Sequence, residues 1–171
     1  MRLQLDRLAS PIGAILLVSD ECGALRALDF EEYETRMARL LRLHYGAVEL
    51  IHRAAPDATK RALGAYFAGD LEVLAPLQTA TGGSLFQRGV WAALRKIPPG
   101  ATTTYGELAA KLGRPGASRA VGLANGANPI AIVVPCHRVI GANGALTGYG
   151  GGLPRKRWLI DHERRYASPK A

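Results

Sequence analysis

Cysteine is scarce in this sequence. Its two cysteines, Cys22 and Cys136, lie far apart with no CxxC pair, which excludes a disulfide framework and a thiolate zinc module. The four histidines, His44, His52, His137 and His162, show no metal-ligand spacing beside them, so neither a metal nor another cofactor is expected. No apolar run approaches the roughly 18 to 20 residues of a membrane span. The start, Met1-Arg2-Leu3-Gln4-Leu5-Asp6, lacks the apolar core of a secretory signal, so a cytoplasmic protein without a membrane partner is expected. Acidic residues nearly vanish from the second half: residues 84–171 carry 3 Asp/Glu against 13 Lys/Arg, whereas residues 1–83 carry 11 against 9. The net charge of +8 is thus −2 and +10 in the two halves. Such asymmetry points to a polyanionic partner for the second half, because phosphate neutralisation with counterion release is a common use of concentrated positive charge. The blander reading is a solvated basic face.

What is present divides at about Gly83 into residues 1–83 and 84–171, with 48% hydrophobic content suited to a globular chain. Leu3 and Leu5 alternate with polar residues, Ile12 to Val18 is apolar, and Leu25, Leu28 and Phe30 follow a turn at Asp20–Gly23, which predicts an antiparallel meander. Met37, Leu40, Leu41 and His44 recur at helical spacing after an acidic first turn. A short strand near Val48–Ile51 and a helix over Asp57–Ala68 follow. Leu71 to Gly83 has no period and reads as the connection between domains. The second half opens on Ser84-Leu85-Phe86-Gln87, an S-x-x-Q capping box before a helix that ends at Pro98-Pro99-Gly100. A second box, Thr104-Tyr105-Gly106-Glu107, starts a short helix, and after a Gly-containing turn Ser118–Asn125 forms a helix of small residues. Two short helices around a tight turn suggest a helix-turn-helix. The apolar, β-branched run Ile130–Val134 predicts a buried strand leading into Pro135-Cys136-His137-Arg138. A glycine-rich loop, Gly148–Gly152, precedes a closing helix that begins at Pro154.

Cys136 is the candidate nucleophile. A cysteine reacts as its thiolate and needs a base or a positive charge close by. His137 and Arg138 are adjacent in sequence, and contact between Cys136 and His137 requires a bend at Pro135 or a bridging water. A histidine base needs an orienting carboxylate, for which Glu163 is the first candidate and Asp161 the second. The blander reading is a small hydrophobe at the end of a core strand. Cys22, in a turn beside Glu21, is expected to be incidental.

Pro135-Cys136-His137-Arg138-Val139-Ile140 resembles the signature of the O6-alkylguanine-DNA alkyltransferases. The similarity runs from Phe86-Gln87 and Val90-Trp91 through Tyr105-Gly106-Glu107, Ser118–Gly122, Asn128-Pro129 and Gly148-Tyr149 to His162-Glu163, and in the first half through Ser10–Gly13 and Phe67–Gly69. The resemblance implies an α/β (α+β) fold of two domains: an N-terminal ribonuclease-H-like α/β domain and a C-terminal winged-helix-type helix-turn-helix domain. It implies a single-turnover transferase that moves the alkyl group of O6-alkylguanine in double-stranded DNA to Cys136, with O4-alkylthymine left open as a substrate. The nucleotide would be flipped from the minor-groove side, since O6 is unreachable inside the stack.

By the same resemblance His137 is the water-mediated base, Glu163 orients it, and Asn128 braces the loop around the site. Arg119 would fill the stack in place of the extruded base, and Tyr105 would crowd the phosphate and donate to guanine N3. Ser118, Ala120, Gly122 and Ala124 would lie against the DNA backbone. Tyr149, Gly150, Gly151 and Val139 would line the pocket, with the Cys136 and Val139 carbonyls accepting from the guanine amino group. The first half lacks the zinc ligands of some members, and Ala127 stands where others often carry a larger polar residue. A monomer is expected in solution, with cooperativity on DNA left open. The alternatives are a cysteine hydrolase using the same triad, a damage-binding protein of the alkyltransferase-like type, against which Cys136 argues, and a transcriptional regulator, which would need domains that 171 residues cannot hold.

Overall fold

The computed structural model describes residues 1–167. By contact density these residues form two units, Met1–Gly83 with Pro129–Val133, and Ser84–Asn128 with the chain from Val134 onward.

In the first unit, β1 (Arg2–Leu8), β2 (Ile15–Ser19) and β3 (Leu25–Phe30) form the expected antiparallel meander, and β4 (Glu49–His52) adds beside β1 in parallel, giving the order β3-β2-β1-β4. All five residues of β2 are buried, as its continuous apolar run requires of a strand covered on both faces. Leu3, Leu5, Leu16, Val18 and Ala27 pack with Met37 and Leu41 of α1 (Glu34–Tyr45). Arg36 of that helix forks onto the buried Asp29 of β3 through Nε and Nη2 at 3.0 and 2.6 Å. The helix α2 (Asp57–Phe67) follows β4.

The segment after α2 is more than a connection. Leu71–Leu74 forms a 3-10 turn, and the chain then runs along β3, with Leu25 N donating to the Gln78 carbonyl and Ala80 N to the Leu25 carbonyl, each at 2.9 Å. Pro129–Val133 makes a similar contact: Leu28 N donates to the Pro129 carbonyl and Ala131 N to the Leu28 carbonyl, both at 3.0 Å. The expected strand over Ile130–Val134 is therefore reduced to one bridge at Ile130 followed by a turn. Ile132 has φ 71°, the only positive value at a non-glycine among the described residues. An apolar run cannot by itself distinguish a buried strand from a buried turn.

The second unit begins with α3 (Leu85–Leu94). Ser84 closes both halves of its capping box: Gln87 N donates to Ser84 Oγ at 3.1 Å, and Ser84 N to Gln87 Oε1 at 2.9 Å. The buried Trp91 donates through Nε1 to the Ala124 carbonyl at 2.9 Å, joining α3 to α5 (Ser118–Gly126). Before α5, α4 (Tyr105–Lys111) is capped by Thr104, whose Oγ1 accepts from Glu107 N at 3.1 Å. The second box is only half made, because the Glu107 carboxylate accepts instead from Thr103 Oγ1 at 3.0 Å. The turn between α4 and α5 places Gly113 and Gly116 at φ 73° and 87°, values that favour glycine. The strand β5 (Thr103–Thr104) pairs in parallel with β6 (Val139–Ile140). The last helix, α6 (Leu153–Tyr166), carries Pro154 at its second position rather than its first, and runs past Glu163.

The capping box at Ser84 is exposed and complete. Ser84→Ala is expected to lower stability by about 1 kcal/mol, read as a reduced urea midpoint with an unchanged slope. A midpoint equal to that of the parent protein would show that α3 does not depend on its cap.

Candidate active site and nucleic-acid interface

Cys136, His137 and Arg138 form one turn of 3-10 helix, and all three are buried. With three residues per turn, successive side chains project about 120° apart, so each of the three meets a different environment. The bend required at Pro135 is present, with φ −83° and ψ 66°.

Cys136 is 7% exposed. Its peptide N donates to the Val134 carbonyl at 2.8 Å, and Asn128 Nδ2 donates to the same carbonyl at 2.8 Å, so Asn128 braces the chain entering the turn. Asn125 of α5 is a residue that the sequence analysis missed. It is buried, and its Nδ2 donates to the Cys136 carbonyl at 3.3 Å. That carbonyl also accepts from Val139 N. The carbonyl is thus braced from two sides.

His137 is fully buried, and its Nε2 lies 2.8 Å from Glu163 Oε2 on α6. Asp161, the second candidate, is exposed. Burial pushes the Glu163 carboxyl upward, but the His137 ring and the Arg138 guanidinium outweigh it and hold the group well below the usual carboxylate range. An ionised carboxylate only accepts, so Nε2 carries the ring proton and donates it. Nδ1 is then the basic nitrogen, and it is buried without a hydrogen-bond partner among the described residues.

Arg138 does not attend the thiol as its place in sequence suggests. Its Nε and Nη2 fork onto Glu163 at 2.8 and 2.9 Å, and its Nη1 donates to the Ile97 carbonyl at 2.6 Å. The cation that Cys136 does sense is Lys156, which the sequence analysis overlooked. Burial lowers the pKa of its ammonium, while the electrostatic interaction with Cys136 acts in the opposite direction. Lys156 Nζ donates to the Thr147 carbonyl at 2.9 Å.

The expected pocket lining is present in part. Tyr149 is half-buried and Gly150 is exposed, whereas Gly151 is buried with its carbonyl accepting from Arg155 Nη1 at 3.0 Å. Val139 is fully buried in β6. Among the described residues no group of three or more His, Cys, Asp or Glu could hold a metal ion, and no helix is long and apolar enough to cross a membrane.

On α5, Ser118, Arg119 and Ala120 are exposed at the start of the helix. Gly122 lies under the Tyr105 ring, where a Cβ would meet Cδ1 and Cε1 at 3.7 and 3.8 Å. Ala124 is corrected out of the DNA-facing set. It is 3% exposed and turned into the core, and its carbonyl is taken by Trp91. Its neighbour Leu123 is 73% exposed and shares the outer face with Arg119. Cys22 is an exposed thiol in the turn between β2 and β3.

His137, in the same turn as Cys136, has its far nitrogen anchored on an ionised carboxylate, and the buried Lys156 ammonium interacts electrostatically with that cysteine. The depressed pKa of Glu163 sets a pH dependence. A carboxylate whose folded pKa lies below its unfolded value of about 4.3 stabilises the fold above that pH, and the contribution is lost as pH falls. Thermal melts of the parent protein should therefore drop between about pH 5 and 3. Glu163→Gln should melt lower at pH 7 and show a shallower acid dependence. Parallel profiles for the two proteins would remove Glu163 from the acid transition.

Comparison with known proteins agrees with this architecture in both units. Residues 85–165 match the model of the 6-O-methylguanine DNA methyltransferase DNA-binding domain, and residues 7–81 that of the 6-O-methylguanine DNA methyltransferase ribonuclease-like domain. The methylated-DNA–protein-cysteine methyltransferase of Salmonella typhimurium is 55% identical over 165 residues, covering 95% of this chain and 96% of its own. That of Mycolicibacterium paratuberculosis is 51% identical over 162 residues, covering 92% and 90%. Among solved structures, the O6-methylguanine methyltransferase of Mycobacterium tuberculosis superposes with a TM-score of 0.77 at 40% identity, covering 98% of this chain and 96% of that one. The Mycobacterium tuberculosis OGT in complex with DNA gives a TM-score of 0.78 at 41% identity, covering 98% and 95%. With both domains matched in order and relatives aligned along nearly their whole length, the chain belongs to the 6-O-methylguanine DNA methyltransferase family.

Proposed function

We propose that this protein repairs DNA by transferring the alkyl group of O6-alkylguanine to Cys136 Sγ in a single turnover. The observation that carries the reading is the His137 ring fixed by Glu163 at 2.8 Å, with its second nitrogen buried and without a hydrogen-bond partner among the described residues, one residue from the buried cysteine. His137 Nδ1 takes the Cys136 proton through a water, and the imidazolium that forms is stabilised by the Glu163 carboxylate. The thiolate attacks the alkyl carbon, the S–C bond forms, the C–O6 bond breaks, and its electron pair passes to the guanine. Tyr105 donates to N3 of that base, where negative charge develops. The product is a thioether, which water does not cleave, so the protein is consumed.

DNA is engaged through the exposed start of α5, where Ser118 and Ala120 leave room for the sugar-phosphate backbone and Arg119 occupies the gap left by the flipped nucleotide. The protein acts as a monomer on double-stranded DNA in the cytoplasm. The width of the pocket beside Tyr149 and Gly150 governs the size of alkyl group taken and whether O4-alkylthymine is accepted.

Intact-protein mass after incubation with a duplex containing O6-methylguanine should show one methyl increment, located on the peptide that carries Cys136. Cys136→Ala should abolish it and Cys22→Ala should not, because only Cys136 has a base and a buried cation. Product accumulating beyond one equivalent of protein would reject the mechanism and favour a hydrolase.

Arg119→Ala separates extrusion from chemistry. Unstacking a base costs a few kcal/mol, and a side chain that fills the vacated position offsets part of that cost only in a duplex. Losing about 1.4 kcal/mol slows duplex repair about tenfold at subsaturating DNA, whereas reaction with a free O6-substituted guanine base should persist at the parent rate. Equal impairment on both substrates would place Arg119 in the folding of α5 instead.

A further inference from the structure

Thr147 is held at both ends by groups that have few alternatives. Its carbonyl accepts from Lys156 Nζ at 2.9 Å, and its Oγ1 lies 2.8 Å from Tyr105 Oη. Lys156 stands in the first turn of α6 and is fully buried. An ammonium out of reach of water must be satisfied by protein acceptors, so the Thr147 carbonyl is costly to withdraw. The loop containing Thr147 is without helix or strand from Gly141 to Gly152, and the Lys156 contact is the one that holds the Thr147 backbone carbonyl.

Tyr105 is constrained from two other sides. Its backbone begins α4 directly after the Thr104 cap, and its ring passes over Gly122 of α5. The hydroxyl is the only part of the side chain left to orient, and Thr147 is the partner that meets it. Each of the two hydroxyls has one proton to give and two lone pairs to accept with. If Thr147 gives its proton to Tyr105 Oη, the phenolic proton is free for a third group. If Tyr105 gives its proton to Thr147, that bond has to break before Tyr105 can donate elsewhere.

We infer that Thr147 is a positioning residue for alkyl transfer: anchored by Lys156, its hydroxyl donates to Tyr105 Oη and keeps the phenolic proton directed at the ring nitrogen of the leaving guanine. The inference rests on the role given to Tyr105 above. No proton changes ownership in the arrangement. As the C–O6 electron pair moves onto the base, the Tyr105 O–H bond polarises toward N3, and the Thr147 hydroxyl compensates the charge that gathers on the phenolic oxygen. Thr147 touches neither the base nor the sulfur in this account and acts only through Tyr105.

Single-turnover transfer to the full chain at saturating O6-methylguanine duplex tests the inference, with melting temperatures recorded for every variant. Thr147→Val removes the hydroxyl at nearly constant shape and should slow transfer roughly three- to tenfold, the scale of one neutral hydrogen bond. Thr147→Ser restores the hydroxyl and should restore the rate. In a Tyr105→Phe background Thr147→Val should cause no further loss, whereas a residue that merely packs the loop would slow both backgrounds alike. An undiminished or faster rate in Thr147→Val overturns the inference, as does a full additional loss in the Tyr105→Phe background. Parent-like transfer by Tyr105→Phe itself would show that the Tyr105 role has failed first, and the Thr147 inference would fall with it.

Discussion

One buried carboxylate organises the second unit. Glu163 receives His137 on one oxygen and the forked Arg138 guanidinium on both, and Arg138 extends the link to the carbonyl of Ile97 beyond the end of α3. The 3-10 turn, the last helix and the chain leaving α3 thereby meet at a single charge. Burying a carboxylate is expensive, and it is tolerated only where every lone pair is used. Arg138 supplies a full positive charge against that carboxylate, and His137 adds a hydrogen bond to it. Loss of Arg138 would leave Glu163 and His137 near one another but no longer balanced. The chemistry and the fold of this unit are therefore hard to separate, and any substitution at Glu163 acts on both.

The same economy governs the two helices that face solvent. Trp91 locks α3 to α5 through the Ala124 carbonyl, and Asn125 one residue later reaches the Cys136 carbonyl. The inner face of α5 thus carries both the packing of the helix pair and a brace of the cysteine turn. Its outer face, with Arg119 and Leu123, is left open. Because these two faces belong to one rigid helix, the position of an outer residue is tied to the position of the cysteine turn within a few ångströms. Tyr105 belongs to the same assembly through its contact over Gly122.

Much of this was legible in the sequence, for reasons that can be named. Ser84 and Gln87 announced α3, alternation announced the meander, and with only three acidic residues in the second half the partner of His137 had few candidates. The errors are equally specific. Arg138 is two residues from Cys136 in sequence, but a 3-10 turn sends nearby side chains in different directions, so closeness in the chain did not indicate contact. Ala124 was placed on the outer face because a stripe of small residues does not fix the rotational phase of a helix, and an error of one position turns a side chain by about 100°. Lys156 sits between Arg155 and Arg157, and nothing in that run of three bases marks the middle one as fully buried. Asn125 carried no signal, since a buried amide is specified by what surrounds it and not by its neighbours in the chain.

The charge asymmetry that first suggested a polyanion looks different once burial is known. Arg138 and Lys156 are internal, and Glu163 is internal with them, so part of the formal charge of the second half never reaches solvent. Among the described residues of the second half, Arg88, Lys96, Lys111, Arg114, Arg119, Arg157, Arg164 and Arg165 are exposed, against Glu107 and Asp161. The surface is still strongly positive, because burial takes two bases and one acid out of solvent and leaves the sign of the exposed balance unchanged. These two populations of charge obey different rules. The exposed set is screened by salt within about 10 Å and supplies a sequence-independent attraction to phosphate. The buried set is insulated from salt and tunes a proton equilibrium. The two are kept apart by depth, with the exposed charge at the surface and Cys136 beneath it, and α5 is the element that belongs to each.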